Sequence, residues 1–128
     1  MTTFFRFGCA ALALALCEVV LPSETIAQQS MDDVQIVSHH VAGNYYYLEG
    51  RGGNIGLSVG EDGVVMIDDQ FAPLTDRIIA AIRQISNGEI RLLINTHVHG
   101  DHTGGNENIG RMGILILARD EVRVRLEA

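Results

Sequence analysis

The sequence from residue 90 to residue 102 reads IRLLINTHVHGDH. It joins a short apolar run to a polar passage that contains three histidines and one aspartate. A short apolar run that is followed by polar, glycine-rich sequence is typical of a buried strand. Sheets of the α/β type bind their ligands beyond the carboxyl ends of their strands. The stretch therefore predicts both a buried strand over residues 90–94 and a functional site directly after it.

The spacing of the polar residues in this passage is typical of metal ligands. His97 and His99 are two positions apart, so in extended backbone both imidazoles point the same way and can bind one metal ion. Gly100 lets the chain turn, and Asp101 and His102 can then approach a second metal position. These donors suit Zn²⁺, with iron and manganese as less favoured alternatives. A loop that merely faces solvent is the other interpretation, and the spacing, the preceding strand and the flanking glycines argue against it.

Residues 34–68 predict a series of antiparallel strands. Apolar and polar residues alternate over 34–37, and three consecutive tyrosines mark a second strand over 44–48. Residues 54–59 and 64–68 read as two further strands, because the Gly-Glu-Asp-Gly sequence between them is typical of a tight hairpin turn.

The hydrophobic pattern changes after Pro73. Isoleucines and a leucine recur at helical spacing over residues 74–85, and Asn87-Gly88 supplies a stop signal. Residues 114–117 predict another buried strand, and residues 120–126 favour a helix over a strand. A run of strands that is followed by a strand–helix–strand unit predicts a mixed α/β fold of the layered α+β kind.

The N-terminus resembles an export signal. Arg6 precedes an apolar run over residues 7–21, and Ala27 offers a small residue for cleavage before Gln28. A membrane anchor is disfavoured because the run is shorter than the roughly 20 residues that a bilayer requires. Lipidation at Cys17 is disfavoured by the bulky leucine before it. We therefore expect residues 1–27 to be a signal peptide and the mature protein to be secreted or periplasmic, with no stable membrane insertion.

The composition excludes several classes of partner. The chain has 128 residues and a net charge of -7, and all nine of its basic residues are arginines. Nucleic-acid binding and polybasic membrane binding both need a basic face, so neither is expected. Both cysteines, Cys9 and Cys17, would leave with the signal peptide, and no thiolate ligand remains. A small-molecule substrate is the expected partner, and the sequence gives no oligomeric state.

The passage THVHGDHTGGN, residues 96–106, resembles the H-x-H-x-D-H signature of the metallo-β-lactamase superfamily. The GNIG sequence at 53–56 and the strand that ends at Asp68 are also similar to that family. The resemblance implies an αββα sandwich, of which residues 28–128 would form the first half as a partial metallo-β-lactamase-like domain.

The resemblance also implies roles for five residues. His97 and His99 would bind the first zinc ion, and Asp101 and His102 the second. Asp101 would also orient the nucleophilic water, which makes it the expected catalytic residue. Asp68 would brace the metal loop, or alternatively cap the backbone that follows it. The implied activity is zinc-dependent hydrolysis of an ester, amide, thioester or β-lactam, with no residue assigned to substrate binding.

The family's site needs more ligands than this chain supplies: a later histidine, a bridging aspartate and a further histidine. The remaining histidines, His39 and His40, are expected to be surface or edge-strand residues instead. A half sandwich would leave one face of its sheet exposed. We therefore expect an N-terminal fragment that is inert by itself, with a complete 101-residue domain as the alternative.

Two other functions remain open at this point. One is an iron-dependent oxidoreductase of the same fold, although His99 argues against the di-iron oxygen reductases, which have glutamate there. The other is a fragment that binds metal weakly and catalyses nothing.

Overall fold

The computed structural model describes residues 30–128, so the predicted signal peptide lies outside the described residues. Six strands form a single sheet in which each strand pairs with its neighbours in sequence. The strands are β1 (Val37–Ala42), β2 (Tyr45–Glu49), β3 (Ile55–Gly60), β4 (Gly63–Ile67), β5 (Ile90–Ile94) and β6 (Leu115–Leu117). The helices are α1 (Thr75–Ile85), α2 (Gly100–Thr103), α3 (Asn106–Arg111) and α4 (Asp120–Leu126). Within residues 30–128, no helix combines the length and the apolar character needed to cross a membrane.

The direction of the strands changes once along the sheet. β1 to β4 are antiparallel, and the β3–β4 connection is the predicted tight turn, with Gly63 at φ 114°. β4, β5 and β6 are parallel, since α1 carries the chain across the sheet between β4 and β5. The mixed six-stranded sheet with helices confirms the predicted fold class.

The hydrophobic core lies on one face of the sheet, beneath α1. Alternate residues of each strand point to this face, as the two-residue period of a strand requires. The fully buried core side chains come from the strands and from the helical segments that cover this face: Leu48, Ile55, Val64, Met66, Leu74, Ile78, Ile82, Leu93 and Ile109. Each such aliphatic side chain contributes about 1.5–3 kcal/mol on burial.

The opposite face of the sheet exposes apolar side chains. Leu115 is 68% exposed and Leu117 53% exposed, whereas Ile116 between them is half-buried. Tyr45 on β2 and Ile67 on β4 are also exposed. Contiguous apolar surface of this kind is uncommon on soluble monomers.

The predicted strand at 34–37 was wrong in position. Met31–Asp33 form a short 3₁₀ helix, and β1 begins only at Val37. The side chain of Arg77 donates hydrogen bonds to the carbonyl oxygens of Met31, at 2.7 Å, and Val34, at 3.0 Å. A tertiary contact from α1 therefore takes the acceptors that a neighbouring strand would otherwise use.

Two helices were missed in the polar, glycine-rich passage over residues 95–110. α2 and α3 contain few apolar residues, so they give no helical periodicity, and Gly100 and Gly110 within them lower their helix propensity. The predicted helix over Asp120–Leu126 and the predicted strand over Ile90–Ile94 are confirmed.

Candidate metal centre

The site lies where the neighbouring parallel strands β4 and β5 end. Ile67 pairs with Ile94 at the last position of the two strands. The residue that follows β4, Asp68, donates its backbone N–H to the carbonyl oxygen of Ile94 at 2.9 Å. Sheet pairing therefore brings Asp68 beside the passage that follows β5, although the two segments are far apart in sequence.

The carboxylate of Asp68 binds this passage at three points. Its Oδ1 accepts a hydrogen bond from the backbone N–H of Thr96 at 2.8 Å. Its Oδ2 accepts one from the Thr96 hydroxyl at 2.7 Å and lies 2.7 Å from Nδ1 of His102. Asp68 is only 4% exposed, so these partners replace the water that the buried carboxylate has lost. They tie the end of β4 to both sides of the histidine passage.

These contacts also determine the proton positions on two imidazoles. A carboxylate only accepts, so Nδ1 of His102 donates to Asp68. The single proton of the Thr96 hydroxyl is used toward Asp68, and its oxygen therefore accepts from Nδ1 of His97, which lies 2.9 Å away. Both histidines then keep Nε2 as the nitrogen with a free lone pair. Metal-binding histidines are oriented in this way by a hydrogen bond to the other ring nitrogen.

Asp68, His97 and His102 form a compact group that could hold a metal ion. One possible ligand atom from each residue lies within 4.8 Å of the others. The rings of His97 and His102 are 3.9 Å apart between centroids. The group combines imidazole nitrogens with a carboxylate oxygen, the donor set that zinc and neighbouring divalent metals accept.

The other two predicted ligands lie beside this group. The ring of His99 is 4.8 Å from that of His97 between centroids, and its side chain faces solvent. Asp101 Oδ2 lies 3.5 Å from Nε2 of His102. The four predicted ligands are thus neighbours in space, with Asp68 at the base of the cluster.

Asp69 is a second acidic residue that lies beneath the site. It is 1% exposed, its Oδ1 accepts the backbone N–H of Gly105 at 3.1 Å, and its backbone N–H donates to the carbonyl oxygen of His102. Burial raises the pKa of the Asp69 carboxyl from 3.8 to about 7, and the charge of Asp68 adds to that shift. The hydrogen bond from Gly105 acts in the opposite direction, as would a positive charge on His102. Asp69 Oδ2 has no hydrogen-bond partner among residues 30–128.

The residues after the histidine passage hold it in place. The Thr103 hydroxyl shares its single proton between the carbonyl oxygens of Val98, at 3.3 Å, and His99, at 3.2 Å. A Cβ at Gly104 would lie 2.5 Å from one backbone oxygen and 2.8 Å from another, so only glycine allows this close approach. Further along, the side chain of Asn106 donates to Asn95 at 2.8 Å. The TGGN sequence, residues 103–106, therefore stabilises the conformation of the loop.

His39 and His40 lie on β1, the edge strand of the sheet. His39 Nε2 is 3.0 Å from Glu49 and its ring stacks on Tyr47. His40 Nε2 is 2.9 Å from the carbonyl oxygen of Gly43. Their place on the edge strand is the one that the sequence predicted, and the metal-binding group found among residues 30–128 consists of Asp68, His97 and His102.

The family model described as the metallo-beta-lactamase superfamily matches residues 48–112, about half of the chain. The chain therefore belongs to the metallo-β-lactamase superfamily. Among curated proteins, none matches the chain.

Solved structures of this superfamily are similar to the chain. A B3 metallo-β-lactamase with an active-site glutamic acid is 25% identical with a TM-score of 0.61, over 66% of this chain and 33% of that chain. BJP-1, a subclass B3 enzyme of Bradyrhizobium japonicum, is 27% identical with a TM-score of 0.56, over 62% and 31%. FIM-1 from Pseudomonas aeruginosa in its mono-zinc form is 20% identical with a TM-score of 0.64, over 70% and 44%, and shows the fold alone. The chain spans about a third of the length of the B3 enzymes that it matches.

Reasoning from the sequence assigned no role to Asp69, Gln70 or Asn95. All three are buried polar residues directly after a strand, and each bonds to the histidine passage or to a loop beside it. The available signal was the run Asp-Asp-Gln straight after an apolar strand, since polar side chains in that position are exposed or bound to a partner.

Proposed function

We propose that the protein is an exported zinc-dependent hydrolase that cleaves an ester, amide, thioester or β-lactam bond of a small molecule. His97, His99, Asp101 and His102 would supply zinc ligands at two metal positions, and Asp68 would brace them. Membership of the superfamily and the likeness to B3 metallo-β-lactamases support this proposal.

The observation that carries the proposal is the hydrogen-bond chain from His102 through Asp68 and Thr96 to His97. This chain holds Nδ1 of both rings as a donor and leaves both Nε2 atoms available. Keeping two imidazoles in one tautomer and close together favours metal binding, since little ordering remains to be done when the ion enters. A surface loop with no metal role would not need this buried carboxylate.

The residues around the group also suit hydrolysis. When bound, Zn²⁺ would lower the pKa of water to about 7 and polarise the scissile oxygen. Asp101 is half-buried beside His102 and would accept a hydrogen bond from the attacking water, which orients it. The imidazoles of His97 and His102 would bind at the two metal positions through Nε2. Asp68 would hold the Nδ1 proton of His102 directly and that of His97 through the Thr96 hydroxyl.

A cavity of about 390 Å³ adjoins the histidines. It lies between residues 96–99 and α4, and Arg119 and Arg125 line its far side. This volume falls within the range of small-molecule sites, which is about 300–1,000 Å³. The position of the cavity supports a small-molecule substrate that reaches the metal group from this side.

Zinc binding tests the proposal directly. The full chain is equilibrated with zinc, freed of unbound metal and assayed for metal content, beside His97→Ala and the control His39→Ala. We expect the wild type and His39→Ala to retain zinc and His97→Ala to lose it. A wild type that retains no more zinc than His97→Ala contradicts the proposal, and iron as the sole native metal contradicts its hydrolase part.

Two further measurements address activity and export. Nitrocefin, ester and thioester substrates are assayed with the zinc-loaded chain and with any in-frame continuation of the gene beyond Ala128. Hydrolysis that requires zinc supports the proposal, and its absence in the continued chain contradicts it.

Mass spectrometry of the exported protein is expected to show an N-terminus at Gln28, whereas an intact Met1 in that fraction would contradict the signal peptide.

A further inference from the structure

Gln70 is a fully buried polar residue to which the proposed function assigns no part. It is 0% exposed and follows Asp68 and Asp69 in the same turn after β4. Its φ is 55°, a left-handed conformation that a residue of this kind seldom adopts unless its surroundings require it. The side chain is therefore held for a reason that lies in its contacts.

The carboxamide of Gln70 uses both of its halves on one loop, residues 50–53, which we call the glycine loop. Its Oε1 accepts the backbone N–H of Arg51 at 3.2 Å, and its Nε2 donates to the carbonyl oxygen of Gly53. An N–H can only donate and a carbonyl can only accept, so the orientation of the amide follows from its partners. A Cβ at Gly50 would lie 2.5 Å from the Gln70 oxygen, which shows how closely the loop packs on this side chain.

The other side of the glycine loop contacts the metal-site residues. A Cβ at Gly52 would lie 2.6 Å from Cβ of Asp101. A Cβ at Gly53 would lie 2.5 Å from Cε1 and 2.7 Å from Nε2 of His102. The loop backbone thus lies directly against the edge of His102 that carries the metal-binding nitrogen.

We propose that Gln70 is a positioning residue that clamps the glycine loop against Asp101 and His102. The imidazole of His102 is then held from two sides, by Asp68 at Nδ1 and by the backbone of Gly53 at the Cε1–Nε2 edge. Both supports originate in a single turn of three residues, 68–70. The inference rests on the proposed function, in which Asp101 and His102 are the ligands that the clamp aligns for a metal ion.

The neutral amide suits this part better than an acid. A glutamate would place a second acceptor opposite the carbonyl oxygen of Gly53, where Gln70 places a donor. An apolar residue of similar size would fill the space and leave the N–H of Arg51 and the carbonyl of Gly53 without these bonds. The loop would then be free to move away from His102.

The test compares Gln70→Leu with Gln84→Leu, a glutamine on the exposed side of α1. Ring ¹⁵N signals of His102 are recorded by NMR on the full metal-free chain, and zinc affinity is then measured by competition with a chelator. In Gln70→Leu we expect shifted or broadened His102 signals and zinc affinity about tenfold or more weaker. Gln84→Leu is expected to match the wild type in both. A folded Gln70→Leu chain with wild-type His102 signals and zinc affinity overturns the inference.

Amide exchange of the wild type keeps the test decisive if Gln70→Leu fails to fold. The Arg51 N–H should exchange slowly, at a rate near that of the amides of β3, because Gln70 accepts its hydrogen bond. Exchange as fast as in an exposed loop overturns the clamp. A wild-type chain that binds no zinc contradicts the proposed function instead, while the metal-free signals still decide the part played by Gln70.

Discussion

Asp68 Oδ2 lies 2.7 Å from Nδ1 of His102, although the two residues are 34 positions apart in sequence. The contact exists because β4 and β5 are parallel neighbours that end at the same edge of the sheet. It fixes the proton of His102 and directs Nε2 toward Asp101. The candidate metal site is therefore built by a second strand end as much as by the histidine passage.

Replacement of Asp68 by asparagine should weaken metal binding. Asparagine keeps the size and tolerates the left-handed φ of 64°. In the wild type, donors of Thr96 and His102 face both carboxylate oxygens of Asp68. Asparagine has only one acceptor oxygen, so at least one of these donors would face the N–H₂ group instead. We expect zinc affinity to fall about 10–100-fold and the free energy of unfolding to fall by about 1–3 kcal/mol, measured by chelator competition and urea titration. Asp62→Asn, in the exposed β3–β4 turn, is the control, and equal zinc affinity in both variants would refute the bracing part of Asp68.

A methyl group at Gly53 should displace His102. The added Cβ would lie 2.5 Å from the imidazole, and the ring is held on its other side by Asp68. We expect Gly53→Ala to lose about 1–3 kcal/mol of stability and to bind zinc more weakly than the wild type, as read by thermal melts with and without zinc. Gly60→Ala has open space around its Cβ and serves as the matched control. Indistinguishable zinc-dependent shifts in the melting temperature for the two variants would count against the packing described.

Two leucines on neighbouring strands should differ sharply in their effect on stability. Leu93 on β5 is 0% exposed beneath α1, whereas Leu115 on β6 is 68% exposed on the opposite face. Leu93→Ala creates a cavity and should cost about 2–5 kcal/mol. Leu115→Ala should change stability by less than about 0.5 kcal/mol. Urea unfolding followed by circular dichroism measures both, and similar losses would place the core on the wrong face.

The raised pKa of the Asp69 carboxyl should make the free energy of unfolding depend on pH. Its pKa is raised from 3.8 to about 7 in the folded protein, so the folded state holds this proton more tightly than the unfolded chain does. The stabilising contribution of the proton is complete below about pH 4 and is lost as the pH rises toward 7. Asp69→Asn stays neutral, so its stability relative to the wild type should increase from pH 5 to pH 8.

The measurement for Asp69 uses metal-free protein in the presence of a chelator, with urea titrations at several pH values. Asp33→Asn, at an exposed position, should show no such trend relative to the wild type. A constant difference between Asp69→Asn and the wild type across this range would show that Asp69 ionises normally in the folded state.

The sequence alone determined the elements with strong local patterns. The alternation and the Asp-Gly turn gave the β3–β4 hairpin, and the helical spacing of the isoleucines gave α1. The spacing of His97, His99, Asp101 and His102 placed four candidate ligands within one passage, and their role as metal ligands stays a prediction. The strand and helix predictions succeed because local backbone geometry alone decides which side chains share a face.

Only the tertiary structure decided which distant residues complete the site. Arg77 binds the carbonyl oxygens of Met31 and Val34, and the predicted strand over 34–37 begins only at Val37. Pairing of β4 with β5 brought Asp68 to His102, and pairing of β3 with β4 brought Gln70 to the glycine loop. The physical reason is that a buried polar group must find a partner wherever the chain packs, and no local pattern specifies which partner that is.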